Sequence, residues 1–281
     1  MTRASNPDLP SMLSRNSGRF LLIAGPCVVE NREVVFETAT VLKAITVKLE
    51  IPFIFKASYR KANRTRSDSF KGIGDLKALQ ILADVRSQLG IPVITDVHET
   101  AEVELAAKYV DALQIPAFLC RQTDLIQAAA RTGKPVNIKK GQFLSPQSMG
   151  FGIEKILETG NKNILLTERG STFGYGDLVV DFRSIPTMRQ WGFPVILDIT
   201  HSLQQPNQPG GITGGQPAMI ETIARAGIAA GADGIFMETH PNPSTALSDG
   251  ANMLDLSQAE SLLTGLLKIY QLVHKLDSIS L

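Results

Sequence analysis

The sequence predicts an α/β fold, a closed (β/α)8 TIM barrel, and three observations carry that expectation. Eight short apolar runs recur along the 281 residues, rich in β-branched and aromatic side chains as buried parallel strands are. Each is followed by polar or glycine-containing sequence and then by a helical pattern. "GIP", "GKP" and "GFP" lead into the third, fifth and seventh runs, where glycine ends a helix and proline prevents its continuation. A doubly wound open sheet is the competing architecture. It calls for a glycine-rich nucleotide turn after the first strand, and "AGPCVVEN" is not one.

In chain order the strands are expected at "FLLIAG" (20–25), "FIFKAS" (53–58), "PVITDV" (92–97), "ALQIPA" (112–117), "PVNIKK" (135–140), "ILLTER" (164–169), "PVILDIT" (194–200) and "GIFMETH" (234–240). Amphipathic helices lie between them, as in "ETAEVELAAKYV" (99–110) and "TDLIQAAART" (123–132). The last helix carries its own start signal: Ser257 and Glu260 are spaced as a capping box. Behind them Leu262, Leu263, Leu266, Leu267, Tyr270 and Val273 make one apolar stripe. No linker or composition shift divides the chain, so residues 19–281 read as one catalytic barrel domain. Residues 1–18, polar and rich in Ser, Asn and Pro, read as a flexible arm.

With 43% hydrophobic residues the chain has an ample core, and a net charge of +1 with mixed signs gives no nucleic-acid surface. Two cysteines, Cys27 and Cys120, are too few for a disulfide framework, which favours a reducing, cytoplasmic compartment. Arg15 and Arg19 before "FLLIAGPC" imitate a secretion signal with a lipoprotein cleavage site. The apolar run is short, however, and Pro26 occupies the place where such sites want a small flexible residue. No stretch approaches the roughly 20 apolar residues that span a bilayer.

Barrel active sites lie at the C-terminal ends of the strands, and there the sequence gathers polar residues. Cys27, His201, Glu238 and Asp249 leave strands one, seven and eight, which become neighbours on closure. A thiolate, an imidazole and two carboxylates could hold a divalent transition metal. The alternative for Cys27 is a small buried apolar residue. His240 shares strand parity with Glu238 and competes as a ligand. His98 is a supporting donor or a loop histidine, His274 is a solvated residue in the last helical turn, and Cys120 is structural. Lys56, Lys61, Arg64, Arg66, Arg121, Lys139 and Arg169 form a second group at or beyond strand exits. Any one of them could be a solvated surface charge, the preferred reading for Arg66. Together they suit phosphorylated anions. Alternation turns Lys56 and Lys139 inward and Lys140 toward the helices. The glycines of "QPGGITGGQP" (208–217) read as a lid ahead of a helix starting at Pro217. No Walker A motif exists.

"AGPC", "FKASYRKANRTR", "ITDVHE", "LQIPAFLCRQTDL", "VNIKKGQFLSP", "FGYGDLVVDFRS", "DITHSLQQP" and "ETHPNP…SDG" resemble the 3-deoxy-D-manno-octulosonate 8-phosphate synthase family over roughly residues 20–275. "KANRT" separates it from the sister 3-deoxy-D-arabino-heptulosonate 7-phosphate synthases, which carry "KPRT"-like sequence there and use erythrose 4-phosphate. The sister activity and a non-catalytic sugar-phosphate-binding barrel are the alternatives. The resemblance implies condensation of phosphoenolpyruvate, D-arabinose 5-phosphate and water into the eight-carbon sugar acid phosphate and inorganic phosphate, in lipopolysaccharide biosynthesis. It implies that Lys56, Lys61, Lys139 and Arg169 hold phosphoenolpyruvate, and that Asn63, Arg64 and Thr65 hold arabinose 5-phosphate with Asp96 near its hydroxyls. It further implies a homotetramer in which Arg121 reaches a neighbouring subunit's site. Cys27, where the metal-free branch has asparagine, implies the metal-dependent branch, with Cys27, His201, Glu238 and Asp249 as ligands of Fe2+, Zn2+ or Mn2+. Lys61, as proton donor, Asp96, His201 and Asp249 are the catalytic candidates.

Overall fold

The computed structural model describes residues 9, 13, 18–63, 68–173, 176–206, 208 and 213–277. Eight parallel strands form the frame: β1 Leu21–Gly25, β2 Phe53–Lys56, β3 Val93–Asp96, β4 Ala112–Ile115, β5 Val136–Lys139, β6 Ile164–Glu168, β7 Val195–Asp198 and β8 Gly234–His240. They pair in chain order, and β8 pairs back onto β1 in the register Leu21↔Gly234 to Gly25↔Glu238. The sheet is therefore closed, which excludes the doubly wound alternative. All eight strands fall within the runs expected for them.

The helices are α1 Arg32–Lys48, α2 Asp75–Leu89, α3 Val103–Tyr109, α4 Thr123–Arg131, α5 Met149–Leu157, α6 Ser184–Arg189, α7 Ile220–Ala229 and α8 Ala259–Asp277. Gly90, Gly133 and Gly192, the glycines of the three Gly-X-Pro signals, all have positive φ (64°, 73° and 83°). Each turns the chain out of its helix in the left-handed conformation that side chains resist. The segment expected as one helix over 99–110 is split. Thr100–Glu102 form a 3-10 turn and only Val103–Tyr109 are α-helical.

The start signal of the last helix also differs from expectation. Ser257 donates from both its backbone N–H (2.9 Å) and its hydroxyl (2.6 Å) to Asp255 Oδ1, and Glu260 pairs with Lys48 on α1. Asp255 is thus the cap, because a one-turn 3-10 segment (Leu256–Gln258) precedes the α-helix and moves the first free N–H groups upstream. The apolar stripe is as expected: Leu262, Leu263, Leu266 and Tyr270 are buried, with Leu267 half-buried against the core and Phe20 edge-on to Tyr270 at 5.5 Å.

Strand alternation builds two concentric cores. Outward residues such as Leu22, Phe55, Val93, Leu113, Ile138, Leu166, Leu197 and Met237 pack under the helices. Inward residues Leu21, Ile23, Ile54, Ile94, Ala112, Leu165, Ile196 and Phe236 fill the barrel axis, with Leu9 and Leu13 joining this cluster. Those two leucines belong to the segment expected to be a loose arm; they are core residues, and the rest of residues 1–17 lies outside the described residues. Two positions further along six of the strands the inward side chains become polar, at Lys56, Asp96, Gln114, Thr167, Asp198 and Glu238, with Lys139 at the end of β5. The axis is therefore apolar below and ionic at the C-terminal mouth.

Candidate active site

Lys56 and Lys139 point inward, as parity required. Lys56 Nζ donates to Glu238 Oε1 (3.0 Å) and Ser58 Oγ (3.1 Å) and stands 3.4 Å from Asp96 Oδ2. Burial alone would lower the Lys56 pKa, but Asp96 and Glu238 outweigh it and raise the pKa, so the ammonium stays charged. Burial likewise opposes ionisation of Asp96 and Glu238. Lys56, Lys61 and, for Glu238, His201 overcome that and hold both acids far below the usual carboxylate range. Lys139 Nζ is paired with Asp198 and lies over the Phe236 ring at 3.9 Å. Burial lowers its pKa, partly offset by Asp198. Lys140 points the other way and clamps the loop after β6 through Gly170 O (3.2 Å) and Ser171 Oγ (3.0 Å).

Arg169 is 4% exposed, and its guanidinium is only partly satisfied. Nη2 donates to Gln204 Oε1 at 2.6 Å, while Nε and Nη1 have no hydrogen-bond partner. Burying a charged donor without a partner is costly, so two vacant donors on a buried arginine mark a place for an anion. They belong to a cavity of about 250 Å³ lined by Lys56, Lys61, Asn63, Asp96, Lys139 and Asp249 among others. His98 also lines it, with Nδ1 3.3 Å from Glu102 Oε2.

Beside this cavity, Cys27 Sγ and one oxygen each of Glu238 and Asp249 all lie within 4.8 Å of one another. Cys27 Sγ is 2.8 Å from Ser248 Oγ and donates to Asp249 Oδ2 at 3.4 Å. Burial, then Asp249 and Glu238, push the Cys27 thiol pKa strongly upward. A sulfur and two carboxylate oxygens at this spacing are a donor set that could hold a cation. His201 touches the group from one side: Nε2 is 3.4 Å from Glu238 Oε2, and Nδ1 is 2.8 Å from Asp198 Oδ2. A carboxylate on the far ring nitrogen is the usual support of a ligating histidine. Three of the four expected ligands thus converge mutually, with the fourth adjacent to Glu238.

Other expectations resolve individually. His240 is not in the group; it is buried against Glu30, with Nε2 2.5 Å from Glu30 Oε1. Parity put it on the correct face, but β8 has by then climbed past the ligand layer. Cys120 is buried in the outer core. His274 lies half-buried with its ring edge-on to Tyr270 at 4.2 Å. Arg121 is exposed and lines a separate cavity with Ser148, Phe151 and Lys155. Arg64, Thr65 and Arg66 lie outside the described residues, as do residues 209–212 of the expected lid. Of that lid, Gly214–Gly215 pair with Gln204–Gln205, and Pro217 opens a 3-10 turn before α7.

Sequence reasoning missed Asp198, which accepts from the His201 N–H (2.8 Å) and holds both His201 and Lys139. Its signal was available: inward parity with Ile196 at the mouth end of β7. It also missed the chain Thr167–Asn137–Gln114–Asp96, linked at 2.8, 2.8 and 2.6 Å. Within it each side chain donates toward Asp96, which fixes that carboxylate as an acceptor.

The profile of the DAHP synthetase I family matches residues 8–274. The chain belongs to this family. Among its relatives, the "2-dehydro-3-deoxyphosphooctonate aldolase" of Bordetella petrii is 54% identical over 256 residues, 89% of this chain and 90% of the relative. Proteins of the same name from an Azoarcus species (54% over 254 residues) and from Desulfatibacillum aliphaticivorans (53% over 249 residues) are similar over 90% and 89% of this chain and 91% of each relative. The site sits at the C-terminal mouth of the closed sheet, where barrels of this kind work. Among the described residues no helix is long and apolar enough to cross a membrane.

Proposed function

We propose that this protein condenses phosphoenolpyruvate with D-arabinose 5-phosphate and water to give 3-deoxy-D-manno-octulosonate 8-phosphate and inorganic phosphate, in the cytoplasm and toward lipopolysaccharide assembly. The observation that carries this reading is Arg169, buried at the cavity with Nε and Nη1 unpaired. The names of the relatives support the same reaction. Around Arg169 the fixed charges nearly cancel: Lys56, Lys61, Lys139 and Arg169 face Asp96, Asp198, Glu238 and Asp249. A divalent cation added to that balance leaves an excess positive charge suited to two phosphorylated substrates that otherwise repel each other.

Cys27, Glu238 and Asp249, with His201 beside them, would hold the cation. The thiolate and imidazole favour Fe2+ or Zn2+ over Mg2+, with Mn2+ as a further candidate. When bound, such an ion supplies Lewis acidity toward a carbonyl oxygen or water. The chain's own residues do the positioning. Arg169 and Lys139 take the anionic groups of phosphoenolpyruvate, and Lys61 lines the same cavity, 3.9 Å from Glu238 Oε1. Asp96, held ionised, accepts from sugar hydroxyls, and Asn63 lies at the cavity edge where the sugar phosphate enters. Carbon 3 of phosphoenolpyruvate then attacks the aldehyde, and the Lys61 ammonium protonates the resulting oxygen. Water adds at carbon 2, and the carbon–oxygen bond to phosphate breaks. Holding both reactants in line contributes several kcal/mol of the barrier reduction, on the order seen for oriented intramolecular reactions.

Exposed Phe118, Phe143, Phe151 and Phe173 (56–65% exposed) are apolar surface of the kind an oligomer covers, in keeping with a homotetramer in which Arg121 serves a neighbouring site. The activity test is phosphate release from phosphoenolpyruvate with arabinose 5-phosphate and, separately, with erythrose 4-phosphate. The proposal expects the pentose phosphate to be used and the tetrose phosphate to be poor. The reverse preference assigns the protein to the sister activity, and release with neither makes it a binding barrel.

A further inference from the structure

We infer that Glu30 and His240 form a positioning clip for the three converging ligands Cys27, Glu238 and Asp249, an inference that rests on the metal-centre reading above. Both clip residues are buried, at 8% and 3% exposure. His240 Nδ1 accepts from the Asn242 N–H at 2.9 Å, so the proton of the ring is on Nε2, which donates to Glu30 Oε1 at 2.5 Å. The other oxygen, Oε2, accepts from the Leu247 N–H at 3.0 Å. One carboxylate therefore joins three segments, and each carries a ligand close by in sequence. Cys27 is three residues before Glu30, Glu238 is two before His240, and Asp249 is two after Leu247.

The Glu30 segment is itself anchored. Val29 N–H donates to Ser58 O (2.9 Å) and Ser58 N–H to Cys27 O (3.3 Å), tying it to the exit of β2. The 241–250 segment has only isolated 3-10 turns, and Asp249 sits at φ 50°, in the left-handed region that a Cβ disfavours. Such a residue keeps its conformation only when its surroundings hold it. The clip supplies that hold by fixing the loop two residues upstream, so Asp249 faces Cys27 and Glu238 before any ion arrives.

The test measures Co2+ and Zn2+ affinity of metal-stripped protein by competition with a chromophoric chelator. Glu30→Gln keeps the size of the side chain but cannot accept both donors; it should weaken Co2+ binding by about tenfold to a hundredfold. Leu247→Pro deletes one N–H and leaves Glu30 and His240 intact. Its side chain is 52% exposed, and Ala246 already has the extended backbone (φ −62°, ψ 137°) that a following proline needs. It should weaken binding about threefold or more, the loss of one hydrogen bond. A purely structural pair would lower the melting temperature of the metal-free variants and leave the affinity of the folded protein unchanged. Wild-type affinity in both variants overturns the clip. A wild-type protein that binds neither Co2+ nor Zn2+ overturns the metal-centre reading instead.

Discussion

Replacing Arg169 with alanine tests the anion site most directly. Its Nε and Nη1 are buried and unpaired, and its third donor nitrogen is already committed to Gln204 at 2.6 Å. Two charge-assisted hydrogen bonds to a bound carboxylate or phosphate are each worth about 1.5–3 kcal/mol. Their loss amounts to about 3–6 kcal/mol, or roughly a hundredfold to ten-thousandfold in kcat/KM for phosphoenolpyruvate at about 1.4 kcal/mol per tenfold. Arg169→Lys restores the charge without the planar fork and should fall between. The assay is the initial rate of phosphate release at saturating arabinose 5-phosphate with phosphoenolpyruvate varied, with a thermal melt of each variant to establish folding. A folded Arg169→Ala protein whose kcat/KM stays within about threefold of wild type would remove the anion-site argument, because unpaired buried donors would then carry no binding energy.

Three more outcomes follow from the same geometry. Chelation should abolish turnover, and Zn2+, Mn2+ or Fe2+ should restore it, while Cys27→Ala should lose bound metal and rate together; full turnover by a metal-stripped sample, measured alongside metal content, contradicts the metal centre. Gly234→Ala should lower the melting temperature, since its Cβ would lie 2.0 Å from Leu21 O at the β1–β8 seam. Backbone cannot yield cheaply there, and the cost is about 3 kcal/mol; an unchanged melt refutes the packing argument. Arg121→Ala should raise KM for the sugar phosphate while leaving KM for phosphoenolpyruvate near wild type, and equal KM values for the sugar in both proteins dismiss its proposed role.

The sequence by itself determined the order and type of the elements. Hydrophobic periodicity and the Gly-X-Pro signals are local, so the eight strands and the left-handed Gly90, Gly133 and Gly192 were legible from neighbours a few residues away. Strand parity was equally local and turned Lys56 and Lys139 inward and Lys140 outward. Tertiary structure decided which of those side chains meet. Cys27 and Asp249 are 222 positions apart and touch because β8 closes on β1 in one register. That same register places His240 beyond Cys27, Glu238 and Asp249 and against Glu30, while the order of β5, β6 and β7 in the sheet brings Lys139 to Asp198. Periodicity says which face a residue occupies, whereas closure and register set its height and its partners, and those are properties of the whole sheet.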